Sequence, residues 1–358
     1  MLISKRAIPL YLVIALILIS LLDQIIPGAR YAKYLVLPIS AAMIFDKNLK
    51  IATPPSLQPF YLYLMVMAPY LALSILHQNN NSIDDIAFLL TYLLPLALIK
   101  STRINLKSLF IATSILFLIN SAGNFGSEFS IDLSTSTSSF EHSEFGFIFS
   151  FFLVYFAISK DYKLSAIALV LTVLSLKRIA LLGAVIAIAV YHVNLERIIS
   201  RNKIALIAAS INVLAVALIK FSTTDYFNDL VFSLTEQSAN QFMMGRVLLY
   251  SYILERTELN LFHGLGPGGV YSYASAAFES TSRVLLHSDT LKIAIEYGTV
   301  FLFTFMYLLY KDKRAPLEQV VLLNIIMLTD NPLIYSSVMF IFFLAIVNTR
   351  QPSQAAQQ

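Results

Sequence analysis

The 358-residue chain contains no cysteine and no tryptophan, only 13% of its residues are charged, and glycine (11) and proline (12) are scarce. Without cysteine there is no disulfide framework, zinc–thiolate site, iron–sulfur cluster or cysteine nucleophile, so thiol redox chemistry is excluded. The low glycine and proline content excludes a collagen-like chain, and the low charge excludes a disordered one. A net charge of +4 is small and dispersed along the chain, so no nucleic acid is expected as a partner. Apolar surface is what the chain has in excess: 58% of its residues are hydrophobic and the mean hydropathy is +0.73. A soluble domain cannot hide that much, whereas a bilayer with a hydrocarbon core of ~30 Å accepts about 20 apolar residues per helix. Composition therefore predicts an all-α polytopic membrane protein in which residues 1–358 form a single integral membrane domain.

Apolar runs bounded by charges or turn residues fall at 8–22, 31–45, 58–76, 86–99, 106–119, 145–159, 162–176, 179–193, 204–221, 288–310, 317–329 and 333–347. They predict about twelve transmembrane helices, several shorter than ~20 residues and so nearly upright or extended by a few positions. The first run follows Lys5 and Arg6 as a signal peptide would. It has no small-x-small cleavage site before Asp23, and reads as a retained helix. With both termini on the cytoplasmic side, sixteen of the 25 Lys and Arg fall in cytoplasmic segments, among them Arg197, Arg201 and Lys203 and the group Lys311, Lys313 and Arg314. Residues 164–193 could instead be one helix, but that would bury Lys177 and Arg178 in hydrocarbon and place Arg197, Arg201 and Lys203 outside. Two helices with Lys177 and Arg178 in the outer turn satisfy both constraints.

The outer segments 77–85 and 120–144 lack Lys and Arg, and the second ends in Glu141, His142 and Glu144. That trio has no further ligands at metal-binding spacing, so no metal is expected. The longest hydrophilic stretch is the loop 222–287 between the ninth and tenth helices, too rich in aromatic and aliphatic residues for disorder and the place where a function is expected. Within it, 242–259 carries Met243, Val247, Tyr250 and Leu254 at helical spacing, which predicts an amphipathic helix on the membrane surface, with Arg246 near its start. Next comes Gly264-Leu265-Gly266-Pro267-Gly268-Gly269, which reads as a tight turn or as a close approach of backbone to a ligand. Ser288 or Asp289 suits the N-cap of the tenth helix, which puts His287 at a helix N-terminus, where an anion is attracted and imidazolium is disfavoured. A solvated loop histidine is the plainer reading of the same residue.

Cations on the outer face run against the positive-inside bias. Arg178 and Arg246 serve either as interfacial anchors or, together, as partners of a doubly charged phosphate. Lys177, Lys220, Arg256, Arg283 and Lys292 add positive potential on that side. Glu296 lies nine residues from His287, on the opposite face of a helix, and suits Lys292 at i, i+4 or another helix.

In order and spacing these elements resemble the superfamily of bacterial O-antigen polymerases and O-antigen ligases. The similarity rests on Ser175-Leu176-Lys177-Arg178-Ile179 at an outer turn and Gly245-Arg246 opening a loop helix. It continues through Asn260-Leu261-Phe262-His263-Gly264-Leu265-Gly266-Pro267-Gly268, then His287-Ser288-Asp289-Thr290-Leu291 leading to Glu296-Tyr297-Gly298. It covers 141–310; the family's frequent His-Asn is His287-Ser288 here, and an aromatic after Gly-Arg is offered by Tyr250. The resemblance implies a GT-C-like membrane glycosyltransferase in the bacterial cytoplasmic (inner) membrane, its site facing the periplasm or outside, acting in lipopolysaccharide or exopolysaccharide synthesis. Its donor and acceptor would be undecaprenyl-diphosphate-linked oligosaccharides, its other partners membrane lipids and a chain-length regulator, with no cofactor. Arg178 and Arg246 would bind the diphosphate leaving group and His287 would act as general base on the acceptor hydroxyl, or orient it. Lys177, His142, Glu141, Arg283 and Glu296 would support them, and Tyr271, Tyr273 and Phe278 would stack on sugar rings.

Polymerase is the preferred reading. The first alternative is a ligase that transfers the glycan to a lipid A core or a protein hydroxyl. A second, from another class, is a transporter of lipid-linked sugars, against which stand the missing internal repeat and the single large loop that breaks a 6+6 symmetry.

Overall fold

The computed structural model describes residues 8–23, 25–44, 58–76, 80–98, 104–123, 131–132, 137–138, 142–257, 259–277, 284–313 and 315–349. These are helical throughout, apart from short connections and one two-residue antiparallel pairing of β1 (Ile131–Asp132) with β2 (Thr137–Ser138). The N-terminal helices are α1 (Ile8–Ile19), α2 (Val36–Ile44), α3 (Gln58–Leu76), α4 (Asn80–Leu98) and α5 (Leu106–Gly123). Then come α6 (Ser143–Ile158), α7 (Tyr162–Leu174), α8 (Arg178–Val193), α9 (Leu195–Ile198) and α10 (Arg201–Ser222). The long loop holds α11 (Asp225–Thr235), α12 (Ala239–Phe242), α13 (Arg246–Arg256) and α14 (Gly269–Ala277). After it follow α15 (Asp289–Tyr297), α16 (Thr299–Lys311), α17 (Leu317–Thr329) and α18 (Ser336–Thr349).

A helix that is apolar on all sides has to be surrounded, and α6 is the clearest case. Its run from Phe145 to Val154 is buried, with α7, α8 and α18 packed around it. Phe110 and Phe117 of α5 meet Phe145, Phe149, Phe152 and Phe156 edge-on, at centroid distances such as 5.3 Å for Phe117–Phe149. On the other side α10 lies along α16, and α17 lies along α8. The outer helices α5, α7, α8 and α10 leave large aliphatic side chains exposed, for example Ile115, Val170, Val185 and Leu214. Among the described residues only α10, with 22 residues and a mean hydropathy of 2.3, is long and apolar enough alone to cross a bilayer. The other apolar helices are 10–17 residues long by the same measure.

Within the described residues the twelve apolar runs are mainly helical, the second passing from a 3-10 helix (Ala29–Leu35) into α2 and the twelfth interrupted at Tyr335 before α18, and the turn at Ser175-Leu176-Lys177 separates α7 from α8 as expected. The tenth run and the loop stretch 242–259 are divided differently. The tenth, 288–310, is not one helix, because Gly298 at φ 90° and ψ 159° takes a backbone conformation open essentially to glycine and splits it into α15 and α16. The backbone groups released there are met by the preceding loop: Leu265 and Gly266 N–H donate to the carbonyls of Ile295 and Glu296 at 3.1 and 3.0 Å. Thr299 and Val300 N–H donate to Asn260 and Leu261 at 3.0 and 2.9 Å. The stretch 242–259 is broken at Met243–Gly245, and α13 buries Leu249, Tyr250 and Ile253 against α10 and α14, so its apolar face is covered by protein rather than laid on a surface.

Arg201 ties the start of α10 to the α16–α17 turn. Its guanidinium pairs with Glu196 and donates to the carbonyls of Tyr310, Asp312 (3.2 Å) and Ala315 (2.9 Å). Of the residues named above, Lys5, Arg6, Glu141, Phe278, Arg283 and Arg314 lie outside the described residues.

Candidate functional site

Ser288 is the N-cap of α15, its hydroxyl accepting from Leu291 N–H at 3.2 Å, as the sequence suggested. His287 precedes it at φ 55°, in the left-handed region that a histidine rarely occupies. What holds it there is the segment between α17 and α18. His287 N–H donates to Asn331 Oδ1 at 2.8 Å, and Asn331 Nδ2 donates to Asp289 Oδ1 at 3.1 Å. Leu333 N–H donates to Asp289 Oδ2 at 2.8 Å and Asp289 N–H to the Asp330 carbonyl at 3.1 Å. Asp330 is itself braced by Asn331 N–H on its Oδ1 at 2.8 Å. Asp289, Asp330 and Asn331 are buried. Sequence reasoning passed over Asp330 and Asn331; the available signal was a polar pair and Pro332 interrupting two apolar runs on the same side as His287.

Two other helices begin nearby with a cation. Gly245, at φ 81°, caps α13, whose first residue is the half-buried Arg246. Lys177 caps α8, whose first residue is the exposed Arg178, and the Lys177 stem packs on Gly146 of α6. Burial lowers the pKa of His287 below its usual value, Asp330 opposes that shift, and Arg246 and Lys177 reinforce it. The same Arg246 and Asp330 act on the buried Tyr250, whose phenol burial pushes up to about 12. Lys177 also reaches His142, at the N-cap of α6. Burial holds the His142 imidazole below its usual pKa, Glu144 opposes and Lys177 adds to the effect, and Nδ1 has no hydrogen-bond partner among the described residues. Glu144 accepts a hydrogen bond from Ser337 of α18.

Arg246, Lys177 and Asp330 thus all act on His287, Arg246 and Asp330 on Tyr250, and Lys177 on His142. Arg178 follows Lys177 as the first residue of α8. Each helix N-terminus carries about half a positive charge, so an arginine at the first position of α13 and of α8 is disfavoured until an anion arrives. Neither Arg178 nor Arg246 has a carboxylate within 4.0 Å among the described residues. Chemically, the arrangement suits a multiply charged anion beside an uncharged imidazole that accepts a proton. Among the described residues no group of three His, Asp or Glu is placed to hold a metal ion.

Glu296 belongs elsewhere. It pairs with Lys292 at 3.7 Å, Lys292 is also bound to Asp85 of α4, and all three side chains are buried. Glu296 Oε1 accepts from Val270 N–H at 3.3 Å. Tyr271 is not available to a sugar: it is fully buried with its ring over the Lys292 ammonium, 4.6 Å from centroid to Nζ, whereas Tyr273 is exposed. The glycine run is a packing device. A Cβ on Gly264 would collide with the Ile295 and Glu296 backbone, and one on Gly268 with Asn81 and Ser82. Those glycines let the loop lie against α15 and α4, where Asn81 Nδ2 donates to Ser272 at 3.1 Å and Ser82 bonds the Pro267 carbonyl.

The site is recessed along α10. Thr290 donates to Asn212 at 3.3 Å, so α15 begins about 16 Å of helix above Arg201 and about 15 Å below the end of α10. No family model, curated protein or solved structure matches the chain.

Proposed function

We propose that the protein is a membrane-embedded glycosyltransferase of the polysaccharide-polymerase type, acting on lipid-diphosphate-linked glycans at the outer face of a bacterial cytoplasmic membrane. The carrying observation is a histidine kept uncharged at the N-terminus of α15, with Arg246 and Lys177, at the starts of α13 and α8, acting on it. A phosphate there, with apolar helix faces beside it, fits an amphiphilic donor. In the reaction the acceptor hydroxyl oxygen bonds to the anomeric carbon of the donor as the bond from that carbon to the diphosphate oxygen breaks. The hydroxyl proton passes to His287, and the electron pair leaves on the lipid diphosphate, whose negative charge Arg246, Arg178 and Lys177 stabilise. Asn331 and Asp289 hold the backbone from which His287 projects.

A transport reading has two observations in its favour: a helix broken at Gly298 with charged residues buried beside the break, and a site level with the middle of α10, both as in carriers. Deletion of the gene, followed by complementation with wild type, His287→Ala, Arg246→Ala or Arg178→Ala, separates the readings on a gel of surface glycan. Polymerase predicts loss of the ladder with single repeat units retained. A polymer that forms but stays unattached points to the ligase, and repeat units trapped on the inner face point to transport. An unchanged ladder in all three variants removes the site assignment.

A further inference from the structure

Among the described helices of the long loop, α11 rather than α13 leaves an apolar edge exposed. On a helical projection Tyr226, Leu230 and Leu234 line one edge, and Phe227 and Val231 continue the arc toward the protein, where Val231 is buried. Asp225, Asn228 and Asp229 lie on the other side, with Phe232 the one apolar residue among them, and Ser233 borders Tyr226. The outward edge is bare: Tyr226 is 69% and Leu234 75% exposed. It continues an exposed stripe on α10, formed by Ile207, Ile211, Leu214, Leu218 and Phe221, and the two are joined by the Phe221 and Tyr226 rings with centroids 6.0 Å apart. Since α10 is about 33 Å long and is tied at Arg201 to the α16–α17 turn, a bilayer that covers its stripe reaches its end where α11 begins. A tyrosine at the start of such an edge and acidic groups on the opposite face suit a headgroup boundary.

We propose that α11 is a membrane-docking helix whose Tyr226, Leu230 and Leu234 edge lies in the outer leaflet, at the boundary between headgroups and acyl chains. The inference rests on the membrane-spanning reading of α10. It ties the bilayer to the site, because Asn228 accepts from Ala239 N–H and Asn240 from Leu248 N–H, both at 3.0 Å, linking α11 through α12 to the helix that starts with Arg246.

The absence of tryptophan makes the test direct, since one introduced indole is the only one in the chain. Leu234→Trp, Asp225→Trp and Leu214→Trp are each reconstituted in phosphatidylcholine vesicles containing lipids brominated near the headgroup or deep in the chain, and are also titrated with iodide. The expected result for Leu234→Trp is blue-shifted emission, quenching several-fold stronger by the shallow than by the deep bromolipid, and protection from iodide, while Asp225→Trp, on the opposite side of the helix, is quenched by iodide. Iodide quenching of Leu234→Trp equal to that of Asp225→Trp overturns the proposal. So does protection from iodide and both bromolipids alike, which would mean that protein, such as a second copy of the chain, covers the edge. Leu214→Trp separates the two levels of inference: deep quenching there with none at Leu234 leaves α10 in the bilayer and sinks only the docking of α11, whereas its failure removes both.

Discussion

Midway along α15, Lys292 meets Asp85 and Glu296 with every member buried; just before its first turn, His287 feels Asp330 on one hand and Arg246 and Lys177 on the other. The two regions share a helix, yet the first is a set of buried ion pairs, whereas in the second Arg246 has no carboxylate within 4.0 Å among the described residues. A buried ion is tolerated when the fold supplies its counter-charge. An arginine at a helix N-terminus with no carboxylate within 4.0 Å among the described residues, as Arg246 is, is a cost that a bound anion removes. The first region therefore reads as fold and the second as site.

The largest effect expected from this contrast is on stability. Lys292→Met strands two buried carboxylates and is expected to cost about 3–5 kcal/mol, seen as lost folded protein or a much lower melting temperature in detergent. Adding Asp85→Asn and Glu296→Gln should restore most of it, since a fully apolar or neutral replacement of a buried pair is close to neutral. Arg246→Ala, in contrast, should leave the melting temperature nearly unchanged. A triple variant as unstable as Lys292→Met would show that packing, not charge, dominates the first region.

A pair of glycine substitutions sharpens the comparison at intermediate magnitude. Gly268→Ala collides with Asn81 and Ser82 and also sits at φ 71°, so overpacking of about 1–3 kcal/mol adds to the left-handed penalty of about 1–2 kcal/mol. Gly245→Ala, at φ 81° with nothing within 4 Å of the new Cβ, carries the conformational penalty alone. Equal melting temperatures for the two would mean that the loop does not lie against α4 as closely as described.

The smallest effect is electrostatic. A histidine whose folded pKa lies below its unfolded value of about 6.5 binds fewer protons folded than unfolded between those two values, so its contribution to stability rises with pH across that window and is level above it. Glycan transfer dependent on neutral His287 should rise with pH over the same acid limb. Asp330→Asn removes an opposing charge and should move the limb to lower pH, whereas Arg246→Ala should move it up, whatever the loss of rate. Shifts in the same direction in both variants would separate His287 from its two neighbours.

Much of this was readable along the chain. Apolar runs located the helices, Ser288 announced the start of α15, Arg178 and Arg246 stand out as cations against the positive-inside bias with Lys177 adding to them, and His287 as an imidazole at a helix N-terminus. The break at Gly298 was missed because a lone glycine in an apolar run carries no mark of the loop that will dock against it. Tyr271 was assigned to a ligand because nothing local shows that its ring covers Lys292. Asp330 and Asn331 went unnoticed for the same reason, being 43 and 44 residues from His287 in the chain.

Local physics explains the elements: burial of apolar runs makes helices, hydroxyl caps start them, and positive φ selects glycine at the turns. Those rules act within a few residues and are written in the order of side chains. The pairings that separate fold from site, Lys292 with Asp85 across 207 positions and Asn331 with His287 across 44, arise where helices distant in the chain pack together. A charge has no assigned partner until that packing chooses one, because what decides between neutralisation and availability is distance in space within a low dielectric.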